Sequence, residues 1–168
     1  GDGTFEDVDE QFVSGLSLDR IGGITIADFD RDGDLDSVVA FSTMRCDGAC
    51  EFDKPIVRMY LNTLNGRANW SSIRLVGKGA GGANAAGIGA RIVITSNGQS
   101  QVREIGGGYG HMGMQNGLEA HFGLGEECTI DKLEIHWPNA NHTISTFENV
   151  PANYFLRVHE STDELEFL

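Results

Sequence analysis

The sequence predicts an all-β protein, most simply antiparallel sheets packed face to face as a sandwich, and three observations carry that expectation. Glycine is abundant and clustered: 23 of 168 residues against 3 prolines, with 15 of the glycines between Gly77 and Gly125. Such density suits compact turns, where φ is positive, and weakens helix interiors. Apolar residues recur at a period of two in one segment after another, the signature of half-buried strands. No stretch holds the i, i+3, i+4, i+7 spacing of an amphipathic helix beyond two turns.

Taken in order, Ile24 and Ile26 alternate with Thr25, and the next strands span Asp36 to Phe41 and Ile56 to Leu61. Trp70 to Val76 follows, then Gly89 to Thr95 with Ile92 and Ile94 on one face. Gln99 to Ile105 pairs with it across Ser96-Asn97-Gly98, because Asn-Gly tolerates the positive φ of a two-residue hairpin turn. Leu118, Ala120 and Phe122 alternate with Glu119 and His121; Leu133, Ile135 and Trp137 alternate with Lys132, Glu134 and His136. That alternation makes Trp137 a core residue, whereas Trp70, at a strand start, is open to either burial or ligand contact. Tyr154 to Val158 closes the series.

Composition narrows the function. The chain is 40% apolar and 22% charged, with 12 basic against 25 acidic residues and a net charge of −13. That balance disfavours nucleic acid and anionic membrane surfaces, which need basic patches. No apolar run approaches the ~20 residues of a membrane span, so membrane insertion is not expected. The chain begins at Gly1 rather than Met, the expectation for a processed or excised piece. Acid is concentrated early: residues 1–61 carry 14 acidic and 5 basic residues, and 62–168 carry 11 and 7. Together with the polar stretch Asn62 to Asn69, this divides the chain into units 1–62 and 63–168.

The sharpest feature is Asp28-Phe29-Asp30-Arg31-Asp32-Gly33-Asp34-Leu35-Asp36, five carboxylates in nine residues. Their mutual repulsion is resolved by Ca²⁺, which takes 6–8 oxygen ligands at ~2.3–2.6 Å, with Gly33 making the sharp turn. Asp28, Asp30 and Asp32 are expected to bind through their side chains. Position 34 is expected to offer its carbonyl, with the Asp34 carboxylate behind it or competing, and Asp36 to close the shell. An EF-hand is excluded, since its twelfth position is Val39 rather than Glu and both flanks read as strands. The competing reading is a solvated acidic turn.

Cys46 and Cys50 flank a loop small enough for a disulfide, which suits an oxidising compartment, while Cys128 reads as a free structural thiol. Asn69-Trp-Ser and Asn141-His-Thr are glycan acceptors if the protein is secreted by a eukaryote. Gly77-Lys-Gly-Ala-Gly-Gly82 and Gly108-Tyr-Gly-His-Met-Gly113 imitate a dinucleotide fingerprint, but neither opens a helix after a strand, as phosphate binding there requires. The five histidines show no metal spacing and no nucleophile elbow is present, so no enzyme is expected. Tyr109 and His111, in a glycine-rich turn, offer a platform for stacking on a sugar or peptide, with Trp70 a further ligand-contact candidate; the alternative is that Tyr109 packs inward.

Two resemblances follow from these motifs. Gly22-Gly-Ile-Thr-Ile-Ala-Asp-Phe-Asp-Arg-Asp-Gly-Asp-Leu-Asp-Ser-Val-Val-Ala40 resembles an FG-GAP/VCBS repeat, the blade unit of integrin-like β-propellers, and Gly1 to Val8 is similar to the tail preceding each repeat. The resemblance implies calcium ligation by Asp28, Asp30, Asp32, Asp34 and Asp36; one repeat cannot close a propeller alone. The segments Asn69 to Val76, Gly87 to Thr95, Gln101 to Gly110, His121 to Gly125 and Ile130 to Pro138 resemble the ASPIC/UnbV domain in its own order. His111-Met-Gly-Met-Gln115 departs from that pattern, which tends to a small polar stretch there. The pair of resemblances implies a secreted or cell-surface protein, with periplasmic location also open, belonging to a larger chain or assembly. The expected function is a calcium-binding extracellular recognition or adhesion module with a glycan or extracellular protein as partner; the alternatives are a structural spacer of an extracellular assembly or an enzyme-attached domain.

Overall fold

A computed structural model of the chain describes Thr4 and residues 21–42, 54–63, 68–108 and 114–168. Strands dominate: β1 (Ile21–Ala27), β2 (Asp36–Phe41), β3 (Ile56–Tyr60), β4 (Asn69–Val76), β5 (Arg91–Ser96) and β6 (Gln99–Glu104) come first. β7 (Glu119–Gly125), β8 (Thr129–His136), β9 (Ile144–Pro151), β10 (Tyr154–His159) and β11 (Glu164–Phe167) complete them. Among the described residues no helix is long and apolar enough to cross a membrane. The protein is all-β, as its glycine and period-two patterning predict.

β1, β2 and β3 form a three-stranded antiparallel sheet. The other strands form two four-stranded sheets, ordered β11-β10-β4-β7 and β6-β5-β8-β9. Their facing surfaces share one core. Ile73, Leu75, Phe122, Leu156 and Val158 from the first meet Ile92, Ile94, Leu133 and Ile135 from the second, all essentially without solvent contact. The alternation in the sequence is what makes this possible, because a strand buries every second side chain. Trp137 is in the core as expected, and its indole N–H donates to Ser145 Oγ at 2.9 Å.

Three details depart from the sequence reading. The sandwich is mixed rather than purely antiparallel, since β10 runs parallel to β4. Parallel neighbours need a long crossover, here the whole excursion through the second sheet, and no local signal encodes that. β5 starts at Arg91 rather than Gly89, because Gly87 and Gly89 have positive φ and make the turn into the strand. Ile24 and Ile26 alternate as predicted but remain over 40% exposed, on β1 at the edge of its sheet. The Asn97-Gly98 turn is as read: φ values of 48° and 73° join β5 to β6 with Ser96 opposite Gln99.

Candidate metal loop and its aromatic seat

Residues 28–35 connect β1 to β2, and the pair Ala27–Asp36 closes the loop at its base. Positive φ at Arg31 (66°) and Gly33 (98°) curls the backbone inward. The carboxylates then hold their own loop. Asp28 Oδ2 accepts from the Gly33 N–H at 3.0 Å, Asp30 Oδ1 from Asp32 N–H at 3.4 Å and Asp32 Oδ1 from Asp34 N–H at 2.9 Å. Asp36, only 2% exposed, accepts from Phe29 N–H and Asn62 N–H, each at 2.8 Å, which ties the chain after β3 to the loop.

Three of the five predicted ligands converge. One oxygen each from Asp28, Asp30 and Asp36 lie within 4.8 Å of one another. Two ligands on opposite sides of a calcium ion are about 4.8 Å apart, so this spacing fits one ion. Asp28 Oδ1 is buried and has no hydrogen-bond partner, which leaves a lone-pair acceptor directed at no protein donor. Asp32 and Asp34 lie outside the converging trio, and Asp32 Oδ1 is turned to the Asp34 N–H. The Asp30 pKa is raised from its usual value by desolvation and then by the charge of Asp32, with Asp36 and Asp28 adding to it and the Asp32 N–H opposing. The one basic residue of the loop turns elsewhere: among the described residues Arg31 makes no ion pair with these carboxylates, and its guanidinium lies 4.1 Å from the Phe155 ring centroid.

The loop sits on the outer face of the β11-β10-β4-β7 sheet. Ser72 is opposite both His121 and Phe155 in register, so these three and Trp70, two residues back, share the face turned away from the core. Trp70 stacks on His121 with centroids 5.9 Å apart and meets Phe155 edge-on at 4.8 Å. Gly33 rests on the indole so closely that a Cβ there would collide with Trp70 Nε1. Ser72, on an outward face, is nonetheless 4% exposed. Burial pushes the His121 imidazole below its usual pKa; Asp28 and Asp34 act against this and Arg103 with it, and Nδ1 has no hydrogen-bond partner. A cleft of about 420 Å³ opens beside this junction, bordered by Asp28, Leu35, Arg103, Glu119 and His121.

Of the proposed ligand-stacking residues, Trp70 is thus half-buried under the loop, and Tyr109 and His111 lie outside the described residues, as do Cys46 and Cys50. Cys128 is free and exposed. His121, Phe155 and Arg31 had no sequence signal beyond position on a strand or loop; only the register assembles them.

The fingerprint imitation at Gly77–Gly82 is filled from within. Glu160 accepts from Lys78 N–H at 2.7 Å, from Ala83 N–H at 2.9 Å and from Asn139 Nδ2 at 2.7 Å. Partial burial alone would raise its pKa, but these hydrogen bonds and the Lys78 charge outweigh that and lower it. The glycine-rich turn is therefore an anion cradle whose anion is the chain's own carboxylate.

The ASPIC and UnbV family matches residues 79–165, just over half of the chain, and the chain belongs to that family. No curated protein and no solved structure gives a significant match.

Proposed function

We propose that this member of the ASPIC and UnbV family is a calcium-binding module for extracellular recognition or adhesion, its N-terminal sheet an FG-GAP/VCBS-type repeat. The observation that carries the reading is the convergence of Asp28, Asp30 and Asp36 around an orphaned, buried Asp28 oxygen. Arg31 supports it by turning to the Phe155 ring instead of pairing with those carboxylates. Asp28, Asp30 and Asp36 would hold the ion, with Asp32 and Asp34 at hand in the same turn. The ion would supply charge neutralisation, joining β1 to β2 more firmly than a solvated acidic turn can. The partner in this reading is a glycan or an extracellular protein, and secretion and the absence of catalysis belong to the same proposal.

Calorimetric titration of Ca²⁺, paired with thermal melts in calcium and in chelator, tests it. Saturation with one equivalent and a higher melting temperature support calcium binding; no heat and superposed melts refute it. A second reading, an architectural spacer, is favoured by Trp70 serving the junction instead of an open surface and by the exposed Val57, Met59 and Leu61 of β3 and its end. Glycan arrays separate the two: selective binding supports recognition, and uniform blanks together with self-association support the spacer.

A further inference from the structure

We propose that the Trp70, His121 and Phe155 face is a latch through which cation occupancy of the acidic loop fixes the N-terminal sheet to the sandwich. The inference rests on the calcium reading above and adds to it a mechanical consequence. Three contacts make the latch. Gly33 lies flat on the Trp70 indole, where no side chain fits. Arg31 reaches out of the acidic turn to the Phe155 ring at 4.1 Å. Phe155 in turn braces Trp70 edge-on at 4.8 Å. Arg31 and Gly33 alternate with Asp30, Asp32 and Asp34 along one curled loop. The same curl that brings the carboxylates together therefore presents Arg31 and Gly33 to the sandwich.

Without a cation, repulsion among the carboxylates opens the curl, and both contacts are lost together. With one, the curl is set and the seat on Trp70 is complete. Ser72, 4% exposed on an otherwise outward face, borders the same cleft as Asp28 and Leu35 and is the surface that opening would wet. Because coupling between two equilibria is reciprocal, the aromatic seat must raise cation affinity as much as the cation strengthens the seat.

The experiment titrates Ca²⁺ into the full chain and into Phe155→Leu and Gly33→Ala, each in a Trp137→Phe background so that Trp70 is the sole indole reporter. Calorimetry reads affinity and fluorescence reads the junction. In the parent, Ca²⁺ should change Trp70 emission in step with the binding heat. Phe155→Leu, which removes a cation–π contact, should weaken Ca²⁺ binding about two- to fivefold. Gly33→Ala should weaken it about tenfold or more, since its methyl group collides with the indole at a left-handed position. Both should lose the Trp70 response. Binding heat in the parent with unchanged Trp70 emission, or unaltered affinity in both variants, overturns the latch and leaves the calcium reading standing. No binding heat in the parent overturns both. Phe155→Leu, whose site tolerates another apolar side chain, keeps the test decisive if Gly33→Ala does not fold.

Discussion

Replacing Asp36 by Ala sets two electrostatic effects against each other, and the structure says which should win. Asp36 is 2% exposed and accepts two backbone N–H groups, from Phe29 and Asn62, both at 2.8 Å. Both bonds are part-buried, and leaving such a donor unpaired costs up to about 1–3 kcal/mol, so losing both should cost roughly 4 kcal/mol at most. Removing the charge also relieves repulsion with Asp28 and Asp30, whose oxygens lie within 4.8 Å. Screened by about 1 M salt, each like-charge pair at that distance is worth about 1 kcal/mol, a relief of about 2 kcal/mol. In chelator at that salt, which screens the repulsion and keeps the loop closed, Asp36→Ala should therefore be destabilised by roughly 2 kcal/mol, with the hydrogen bonds outweighing the repulsion. Asp36→Asn, which keeps one acceptor and also loses the charge, should lie within about 1 kcal/mol of the parent. Urea denaturation followed by circular dichroism gives the two values, and amide exchange at Phe29 and Asn62 reads the bonds themselves. An Asp36→Ala chain as stable as the parent in chelator would refute the reasoning, because Asp36 would then be present for a cation alone.

Calcium at ten times its dissociation constant should add about 1.4 kcal/mol to stability, seen as an upward shift of the melt that chelator abolishes. Glu160 stabilises the loop over residues 77–83 only as a carboxylate, and its folded pKa is lowered. Its contribution is thus fully present above the unfolded value of about 4.3 and is lost as pH falls through the lower folded value, so Glu160→Gln should flatten the acid limb of a stability–pH curve. Trp137→Phe removes the indole N–H donated to buried Ser145 and should cost about 1–3 kcal/mol in urea, with Ser145→Ala rescuing part of it in the double variant. Gly98→Val, at φ 73° in the turn between β5 and β6, should cost about 1–2 kcal/mol, whereas Gly98→Asn should be nearly neutral by the same melt.

Much of the fold was legible because strands announce themselves by alternation. Ile92 and Ile94, Ala120 and Phe122, and Leu133 and Ile135 face the core as their spacing requires, since a pleated strand sends neighbours to opposite sides. The acidic loop was equally plain: five like charges in one turn are hard to explain by burial or propensity, and three of them do converge. The parallel pairing of β10 with β4 was not legible, because it joins segments separated by the whole second sheet. The same holds for Glu160, one acid among many until the fold delivers it to the glycine-rich turn.

The amino-acid order alone determined the all-β class, the core faces, the Asn97-Gly98 hairpin and the position of the acidic turn, because each is written in contacts only a few residues apart. Tertiary structure decided what that turn rests on. Trp70, His121 and Phe155 become neighbours only through the register of β4, β7 and β10. Registry between distant strands is settled by how the whole core packs, so their partnership with Gly33 and Arg31 exists only once the sandwich has formed.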